Sequence, residues 1–196
     1  MKKILSIIFS ILVSFSSNLF AEEKKSIKRI SEGEKNAKIK IITYESLTCG
    51  HCADFHKNVY PDLKKNFIDK GLVKIEFRHF PLDIAAFNAS KIGQCNNDGN
   101  PNILNILYSG QKKWAKGKSP KEATEYLKKF LENEGVMVNF EKCLNDKSIE
   151  DYILNDRIEG VKKFDVNATP TIIINDKKFD KALNYKNLKK YLEKLI

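Results

Sequence analysis

Two cysteines separated by two residues stand at the start of a predicted helix. The tetrapeptide Cys49-Gly50-His51-Cys52 follows a strand-like run at residues 38–45 and opens a helical apolar pattern. At such a position the unpaired backbone N–H groups and the positive end of the helix dipole favour a thiolate on the first sulfur. The spacing therefore predicts a redox-active pair in which Cys49 is the exposed nucleophile and Cys52 is the buried partner, one turn inside the helix.

The first 21 residues have the layout of a secretory signal. Lys2 and Lys3 precede an apolar run at residues 4–15 that is too short to span a bilayer comfortably, and Ala21 offers a cleavage point. The sequence therefore predicts that residues 1–21 are removed. The mature protein is then expected to be soluble, outside the cytoplasm and in a compartment where disulfides persist. Retention of the segment as an N-terminal anchor is the alternative.

The formal net charge of +10 does not indicate a nucleic-acid partner. Lysines are scattered along every predicted helix face, and the sequence has no arginine-rich patch interleaved with aromatic residues, as nucleic-acid binding would require. We therefore expect a solvated basic surface and no nucleic-acid partner. Attraction to an anionic membrane surface stays compatible with this charge.

The chain has four cysteines, and the other two are Cys95 and Cys143. An even count in an exported chain suggests paired sulfurs, and the spacing assigns Cys49 and Cys52 to each other. A bond between Cys95 and Cys143 would close a loop of about 49 residues, for which the chain-entropy model gives on the order of 4 kcal/mol. We predict this structural disulfide; two buried free thiols are the alternative.

The first part of the chain has the pattern of a βαβ unit. A short edge strand is predicted within residues 27–31, before the strand at 38–45. A helix at 49–69, kinked by Pro61, leads to an alternating strand at 72–78. Such a unit is right-handed.

The middle of the chain carries almost no strand signal and predicts a block of helices. These helices are expected at 83–94, at 102–115, after a cap at Ser119, after a cap at Asn139, and at 148–164. A buried strand at 171–174, a hairpin turn at 175–176 and a final amphipathic helix complete the chain.

This order of elements resembles the DsbA family. The resemblance rests on the Cys-Gly-His-Cys motif at 49–52 after the first central strand and on Thr169-Pro170 before the later hairpin. It covers residues 27–196 and implies an α/β chain, a thioredoxin fold with an inserted all-helical domain. The implied domains are a signal peptide at 1–21, a thioredoxin-like domain at 22–82 and 165–196, and a helical insertion at 83–164.

The resemblance also implies roles for two residues outside the cysteine motif. In the DsbA family the proline that matches Pro170 is cis and lies against the redox cysteines, and the preceding residue offers backbone groups to a substrate chain. These roles fall on Pro170 and Thr169. An ordinary trans proline at the start of a strand is the alternative.

The function that the resemblance implies is that of a periplasmic dithiol oxidase. Its substrates would be unfolded exported proteins, its reoxidant a membrane protein of the DsbB type, and its only redox group the disulfide itself, with no cofactor and no metal. Gly50-His51 and Thr169 are features typical of isomerases, so an isomerase or reductase of the same fold is the alternative. Bacterial isomerases carry an N-terminal dimerisation domain, whereas fewer than 20 residues separate Ala21 from the first central strand. We therefore expect a monomer.

Two more side chains are candidates for the chemistry. His51, between the sulfurs, is predicted to tune Cys49, and Glu45 is a possible proton acceptor for Cys52 if it points inward rather than into solvent. The main non-redox alternative is a zinc site made by Cys49, Cys52 and His51 or His56, although no second ligand pair has suitable spacing. A peptide-binding module that has lost its redox function is a further alternative.

Overall fold

A five-stranded sheet organises the protein, whose computed structural model describes residues 26–196. The strands are β1 Ser31–Glu32, β2 Ile39–Glu45, β3 Val73–His79, β4 Thr171–Ile174 and β5 Lys177–Lys178. Their order is β1-β3-β2-β4-β5, with β2 parallel to β3 and antiparallel to β4. The predicted α/β class is confirmed, and the predicted signal at residues 1–21 lies outside the described residues.

The edge strand β1 is shorter than the sequence predicts. Only Ser31 and Glu32 pair with β3, in antiparallel register. Just before them the Ile30 carbonyl still accepts from the Phe77 amide of β3, but the Lys28 amide donates to the Asn97 side chain and the Lys28 carbonyl accepts from Gln94. The backbone at Lys28 is therefore held by the insertion and not by the sheet.

The helix that follows the cysteine motif is interrupted, as the sequence predicts. Helix α1 spans Gly50–Asn58 and helix α2 spans Tyr60–Leu63, with a π-helical turn at Lys64–Ile68. The break lies at Val59, whose φ of −123° is outside the helical region. Pro61 explains it, because proline has no N–H to donate and its ring clashes with the carbonyl four residues earlier.

All the remaining helices but the last lie between β3 and β4. They are α3 Ile84–Gln94, α4 Asn102–Ser109, α5 Gln111–Trp114, α6 Pro120–Asn133, α7 Phe140–Asn145 and α8 Lys147–Phe164, and α9 Tyr185–Leu192 follows β5. The side chains of Ser119 and Asn139 cap α6 and α7 as predicted. The helix predicted at 102–115 is divided at Gly110, where a Cβ would lie 2.0 Å from the Phe130 ring.

Both faces of the central strand β2 are covered except around the exposed Lys40. On one face Ile39 and Ile41 share a core with α1 and α9 residues, and on the other Tyr44 packs against Phe164 of α8. Helix α8 approaches closely there because Gly160 has no side chain, and a Cβ at that position would lie 2.7 Å from the Tyr44 ring.

The core of the sheet continues without a gap into the inserted helices. Trp114 of α5 and Leu127 of α6 are fully buried and belong to the same apolar cluster as Phe55 of α1. The inserted helices therefore form one side of the region around the cysteine motif.

Candidate active site

The cysteines of the motif lie where β2 gives way to α1. Cys49 is the N-cap residue of α1, with extended backbone angles (φ −78°, ψ 120°). Its amide donates to the Ser46 carbonyl, and its own carbonyl accepts from the amides of Cys52 and Ala53. Cys49 is partly exposed, whereas Cys52 is 0% exposed, and both are free thiols. Solvent and a substrate chain can thus reach the first sulfur but not the second.

The surroundings of Cys49 favour its thiolate. The hydrogen bond from the Cys52 thiol is the largest cause, and together with the other donors it lowers the pKa of Cys49 to about 5 from the ordinary 9.0. Partial burial opposes this shift, while the Thr169 side chain and the backbone N–H groups of Cys52 and His51 add to it. At pH 7 the reduced protein therefore carries a negative charge on this sulfur.

The surroundings of Cys52 have the opposite effect. Burial raises the pKa of Cys52 far above its ordinary value, and the hydrogen bond to Cys49 and the negative charge of Glu45 raise it further. The backbone N–H of Ser46 beside the sulfur opposes the shift only in part. The reduced pair therefore holds one thiolate and one thiol, and the proton stays on the buried sulfur.

The loop before β4 lies directly against Cys49. The Thr169–Pro170 peptide bond is cis. The Thr169 carbonyl oxygen lies 3.2 Å from the Cys49 sulfur and accepts its hydrogen bond when Cys49 is protonated. The Thr169 hydroxyl is buried and has no nitrogen or oxygen partner among the described residues. The structure thus brings the loop of Thr169 and Pro170, which the sequence analysis assigned to the site, to the Cys49 sulfur.

An open groove of about 540 Å³ runs beside these residues. The exposed side chain of His51 lies on its rim, and the part of His51 that acts on Cys49 is its backbone N–H. The residues that line the groove are His51, Asp54, Phe55, Asn58, Val59, Thr169, Pro170, Leu183, Asn184 and Tyr185. Three elements line the groove: α1, the cis-proline loop and the start of α9. An extended chain could therefore lie in it beside Cys49.

Glu45 points inward, and a solvated carboxylate is ruled out. It is 4% exposed, and its Oε2 lies 2.8 Å from Nε2 of His56 on α1. Nδ1 of His56 lies 3.3 Å from the Asn105 side-chain oxygen, and its ring stacks on Tyr108 with 4.1 Å between centroids. The other Glu45 oxygen, Oε1, is buried without a hydrogen-bond partner in the described part of the chain.

Sequence reasoning missed Gln111 of α5 altogether. Its side-chain amide donates to the carbonyls of Leu47 and Cys49, each at 2.9 Å, and so ties the inserted helices to the loop that carries the nucleophile. This contact spans more than 60 residues of sequence, and no local pattern around Gln111 points to it. His56 had a recognisable signal, since it lies one helical turn after Cys52.

The second pair of cysteines lies in the inserted helices. Cys95, after α3, and Cys143, in α7, are joined by a disulfide with 5.6 Å between their Cα atoms. Cys143 is buried and belongs to the main core cluster. This bond joins the end of α3 to α7, in a part of the sequence separate from Cys49 and Cys52.

The described residues offer neither a metal-ligand cluster nor a membrane-spanning helix. Within residues 26–196, no group of three or more His, Cys, Asp or Glu side chains is placed to hold a metal ion. His56, one of the ligands considered for zinc, has its Nε2 engaged by Glu45. None of the helices in the described region is long and apolar enough to cross a membrane.

Comparison with known proteins places the chain in a family. The model of a family described as Thioredoxin matches residues 25–194. A putative protein-disulfide oxidoreductase of Rickettsia felis is 30% identical over 148 residues, which are 73% of this chain and 51% of that protein. The chain thus spans about half the length of such rickettsial relatives.

Two more similarities extend over most of the fold. Disulfide bond formation protein D of Bacillus subtilis is 26% identical over 179 residues, 83% of this chain and 74% of that protein. The crystal structure of alpha-DsbA1 from Wolbachia pipientis has a TM-score of 0.76 and 30% sequence identity. The superposition covers 85% of this chain and 90% of the Wolbachia chain.

Proposed function

The chain belongs to this thioredoxin family, and we propose that it is a protein-disulfide oxidoreductase that works as a dithiol oxidase through Cys49 and Cys52. The observation that carries the proposal is the contrast between the two sulfurs. Their surroundings lower the pKa of the exposed Cys49 to about 5 and raise that of the buried Cys52. The similarity to a putative protein-disulfide oxidoreductase and to a disulfide bond formation protein supports the same chemistry.

The proposed reaction begins with the oxidised protein. A client thiolate attacks the Cys49 sulfur, the Cys49–Cys52 bond breaks, and Cys52 leaves with the electron pair and takes up a proton. A second client thiolate then attacks the client sulfur of the mixed disulfide, and Cys49 leaves as a thiolate. Two electrons pass from the client to the protein, and the client gains one disulfide.

The stable thiolate of Cys49 makes it a good leaving group and favours the reduced protein. A pKa of about 5 lies 2 units below pH 7, and each unit corresponds to ~1.4 kcal/mol. The potential of the couple therefore shifts by at most ~60 mV in the oxidising direction. Because Cys49 is only partly buried, screening by solvent makes the true shift smaller.

The proposed clients are unfolded exported proteins that lie in the groove beside the cis-proline loop. In this arrangement the backbone of Thr169 contacts the client chain and Pro170 keeps that loop against Cys49. We propose that the protein works in the periplasm after removal of residues 1–21, acts as a monomer, and is reoxidised by a membrane protein of the DsbB type. The residue types of the signal segment and the resemblance support this part of the proposal.

An isomerase is the second candidate, because Gly50-His51 and Thr169 are typical of isomerases. The test uses the purified protein with one client prepared in two forms, fully reduced and scrambled. We expect rapid oxidation of the reduced client and slow repair of the scrambled one. Equal rates for the two forms would favour the isomerase, and no reaction with either form would refute both candidates.

A further inference from the structure

A second open pocket lies along a different face of α1 from the groove beside the cis-proline loop. Its volume is about 650 Å³, and its walls come from α1, the end of α4 and the start of α5. We call it the lysine pocket, because Lys57, Lys112 and Lys113 are among the residues that line it. Thiol exchange at Cys49 does not by itself require such a pocket.

The lysine pocket reaches the residue that carries the nucleophile. Gly50, the first residue of α1, lines the pocket and directly follows Cys49 in the chain. A Cβ at Gly50 would meet no atom from another part of the chain within 4 Å, so the pocket is open next to the cysteine. Gln111 also lines the pocket, and its side chain donates to the Cys49 carbonyl at 2.9 Å. A client chain bonded to Cys49 can therefore extend into the pocket.

The positive charge of the lysine pocket is largely uncompensated. Lys57 and Lys112 are exposed, and neither forms an ion pair with a carboxylate of residues 26–196. Lys113 has one partner, Glu134, at 3.6 Å, and the side chains of this pair are 69% and 42% exposed. Among the described residues that line the pocket, Asp54 alone carries a carboxylate. Three ammonium groups beside one carboxylate favour an acidic ligand.

The groove beside the cis-proline loop differs from the lysine pocket in charge. No lysine or arginine is among the described residues that line this groove, and Phe55, Val59 and Leu183 give it apolar side chains. The two sites share only Asp54. A client bound across the active site would thus meet an apolar surface on one side of its reactive cysteine and a basic surface on the other.

We propose that the lysine pocket binds an acidic side chain of the client, on one side of the client cysteine that reacts with Cys49. The ammonium groups of Lys57, Lys112 and Lys113 attract the client carboxylate before the thiol exchange and hold it in the mixed disulfide. The pocket therefore selects exported segments in which Asp or Glu lies near a cysteine. The inference rests on the proposed dithiol function, names part of its substrate class and adds no bond change to the reaction at Cys49.

The test uses symmetric disulfide dimers of a short peptide with a single cysteine and blocked ends. One position of the peptide is Glu, Gln or Lys, on either the N-terminal or the C-terminal side of the cysteine. The Cys49 thiolate of the reduced protein attacks one peptide sulfur, and the other peptide leaves as a thiolate. Rapid acid quench with mass spectrometry measures the rate of this step. At low ionic strength we expect the Glu peptide to react about fivefold faster than the Lys peptide, on one side of the cysteine only, with a difference that shrinks as salt is added.

The decisive variant is the triple change Lys57→Gln, Lys112→Gln and Lys113→Gln. We expect it to bring the rates of the Glu and Lys peptides to within about twofold of each other, because it removes the three ammonium groups of the pocket. The double change Lys57→Glu and Lys112→Glu is expected to invert the preference, so that the Lys peptide reacts faster. A damaged fold would slow every peptide alike and could not invert their order.

A matched control removes the same charge elsewhere on the surface. Lys177 of β5, Lys190 of α9 and Lys194 after α9 are exposed and do not line the pocket. Changing these three lysines together to Gln also lowers the net charge by three. We expect the preference of about fivefold for the Glu peptide to remain in this control.

The outcomes distinguish the inference from the proposed function. Equal rates for the Glu and Lys peptides in the unmodified protein would overturn the inference. So would a preference that the control also abolishes, or one that is equal on both sides of the cysteine, because either result would indicate attraction by the whole basic surface. A protein that shows the pocket-dependent preference and yet oxidises no reduced client would refute the proposed oxidase alone.

Discussion

The two pairs of cysteines in this chain meet very different surroundings. Cys49 and Cys52 are free thiols at the N-terminus of α1, where one sulfur is stabilised as a thiolate and the other as a thiol. Cys95 and Cys143 are bonded to each other inside the inserted helices, and Cys143 belongs to the main core. Burial does not separate the pairs, because Cys52 is as buried as Cys143; the first pair differs in that hydrogen-bond donors at the N-terminus of α1 stabilise a thiolate on its exposed sulfur.

The largest effect is expected from replacing one cysteine of the first pair. Cys49→Ser should abolish client oxidation, because no other exposed thiol can accept the client. Cys52→Ala should instead accumulate mixed disulfides at Cys49, since the resolving thiol is absent. Non-reducing electrophoresis with a reduced client distinguishes the two. If Cys52 of the reduced protein reacted faster than Cys49 with an alkylating agent at pH 6, the assignment of the nucleophile would be wrong.

Removal of the second pair is expected to affect stability more than turnover. The double change Cys95→Ser and Cys143→Ser frees a loop with a sequence separation of 48 residues, and the chain-entropy model predicts a loss of about 4 kcal/mol in the free energy of unfolding. Urea denaturation of the oxidised protein measures this loss. A variant that kept its stability but lost client oxidation would reverse the roles given to the two pairs.

Reduction of the first pair is expected to stabilise the fold, in contrast to the second. The folded pKa of Cys49, about 5, lies below the ordinary 9.0, so the stabilisation is fully present above pH 9 and is lost as the pH falls through 5. At pH 7 we expect the reduced protein to exceed the oxidised one by about 1 to 2 kcal/mol, after a discount for the solvent screening of a half-buried sulfur.

The measurement is urea denaturation of both redox states between pH 5 and pH 9, under conditions that leave the Cys95–Cys143 bond intact. Cys49→Ser is the control, because it lacks the thiolate and should show no such pH dependence. An advantage of the reduced form that shrank as the pH rose would contradict the assignment of the charge to Cys49.

The smallest effect is expected where the inserted helices contact the first pair. Gln111→Ala removes two hydrogen bonds to the carbonyls of Leu47 and Cys49 and should cost about 1 kcal/mol of stability, since water can reach part of this loop. We also expect slower client oxidation, because the loop that carries the nucleophile becomes less fixed. Gln94→Ala is the control, because it also removes two side-chain hydrogen bonds of the insertion, to the Lys28 carbonyl and to the His79 ring, and neither of these partners belongs to the loop. Equal losses of activity in both variants would deny Gln111 a specific role.

The sequence predicted what depends on local chemistry. The thiol spacing, the capping by Ser119 and Asn139, and the hairpin at 175–176 each follow from residues close together in the chain. Asn175 and Asp176 indeed have positive φ angles of 46° and 62°, as a tight hairpin between β4 and β5 requires.

The other features of the site depend on which helices and strands pack against each other. The sequence alone does not state those long-range contacts. The alternation of buried Ile39 and Ile41 with exposed Lys40 places Glu45 on the core face of β2, but the hydrogen bond that holds its side chain there comes from His56 of α1 and could not be predicted. The truncation of β1 depends on contacts with Asn97 and Gln94, and the position of Gln111 depends on how α5 packs. Each of these is a long-range contact.

The reduction potentials of the two pairs, measured together in one redox titration, test the central contrast most directly. The protein is equilibrated in dithiol buffers of stepped potential, its thiols are trapped by alkylation, and each pair is counted by peptide mass spectrometry. We predict that Cys49–Cys52 is reduced at a clearly less negative potential, while Cys95–Cys143 stays oxidised down to about −300 mV or below, as is usual for structural disulfides. Two pairs that titrate together, or a first pair that is the harder to reduce, would contradict the account.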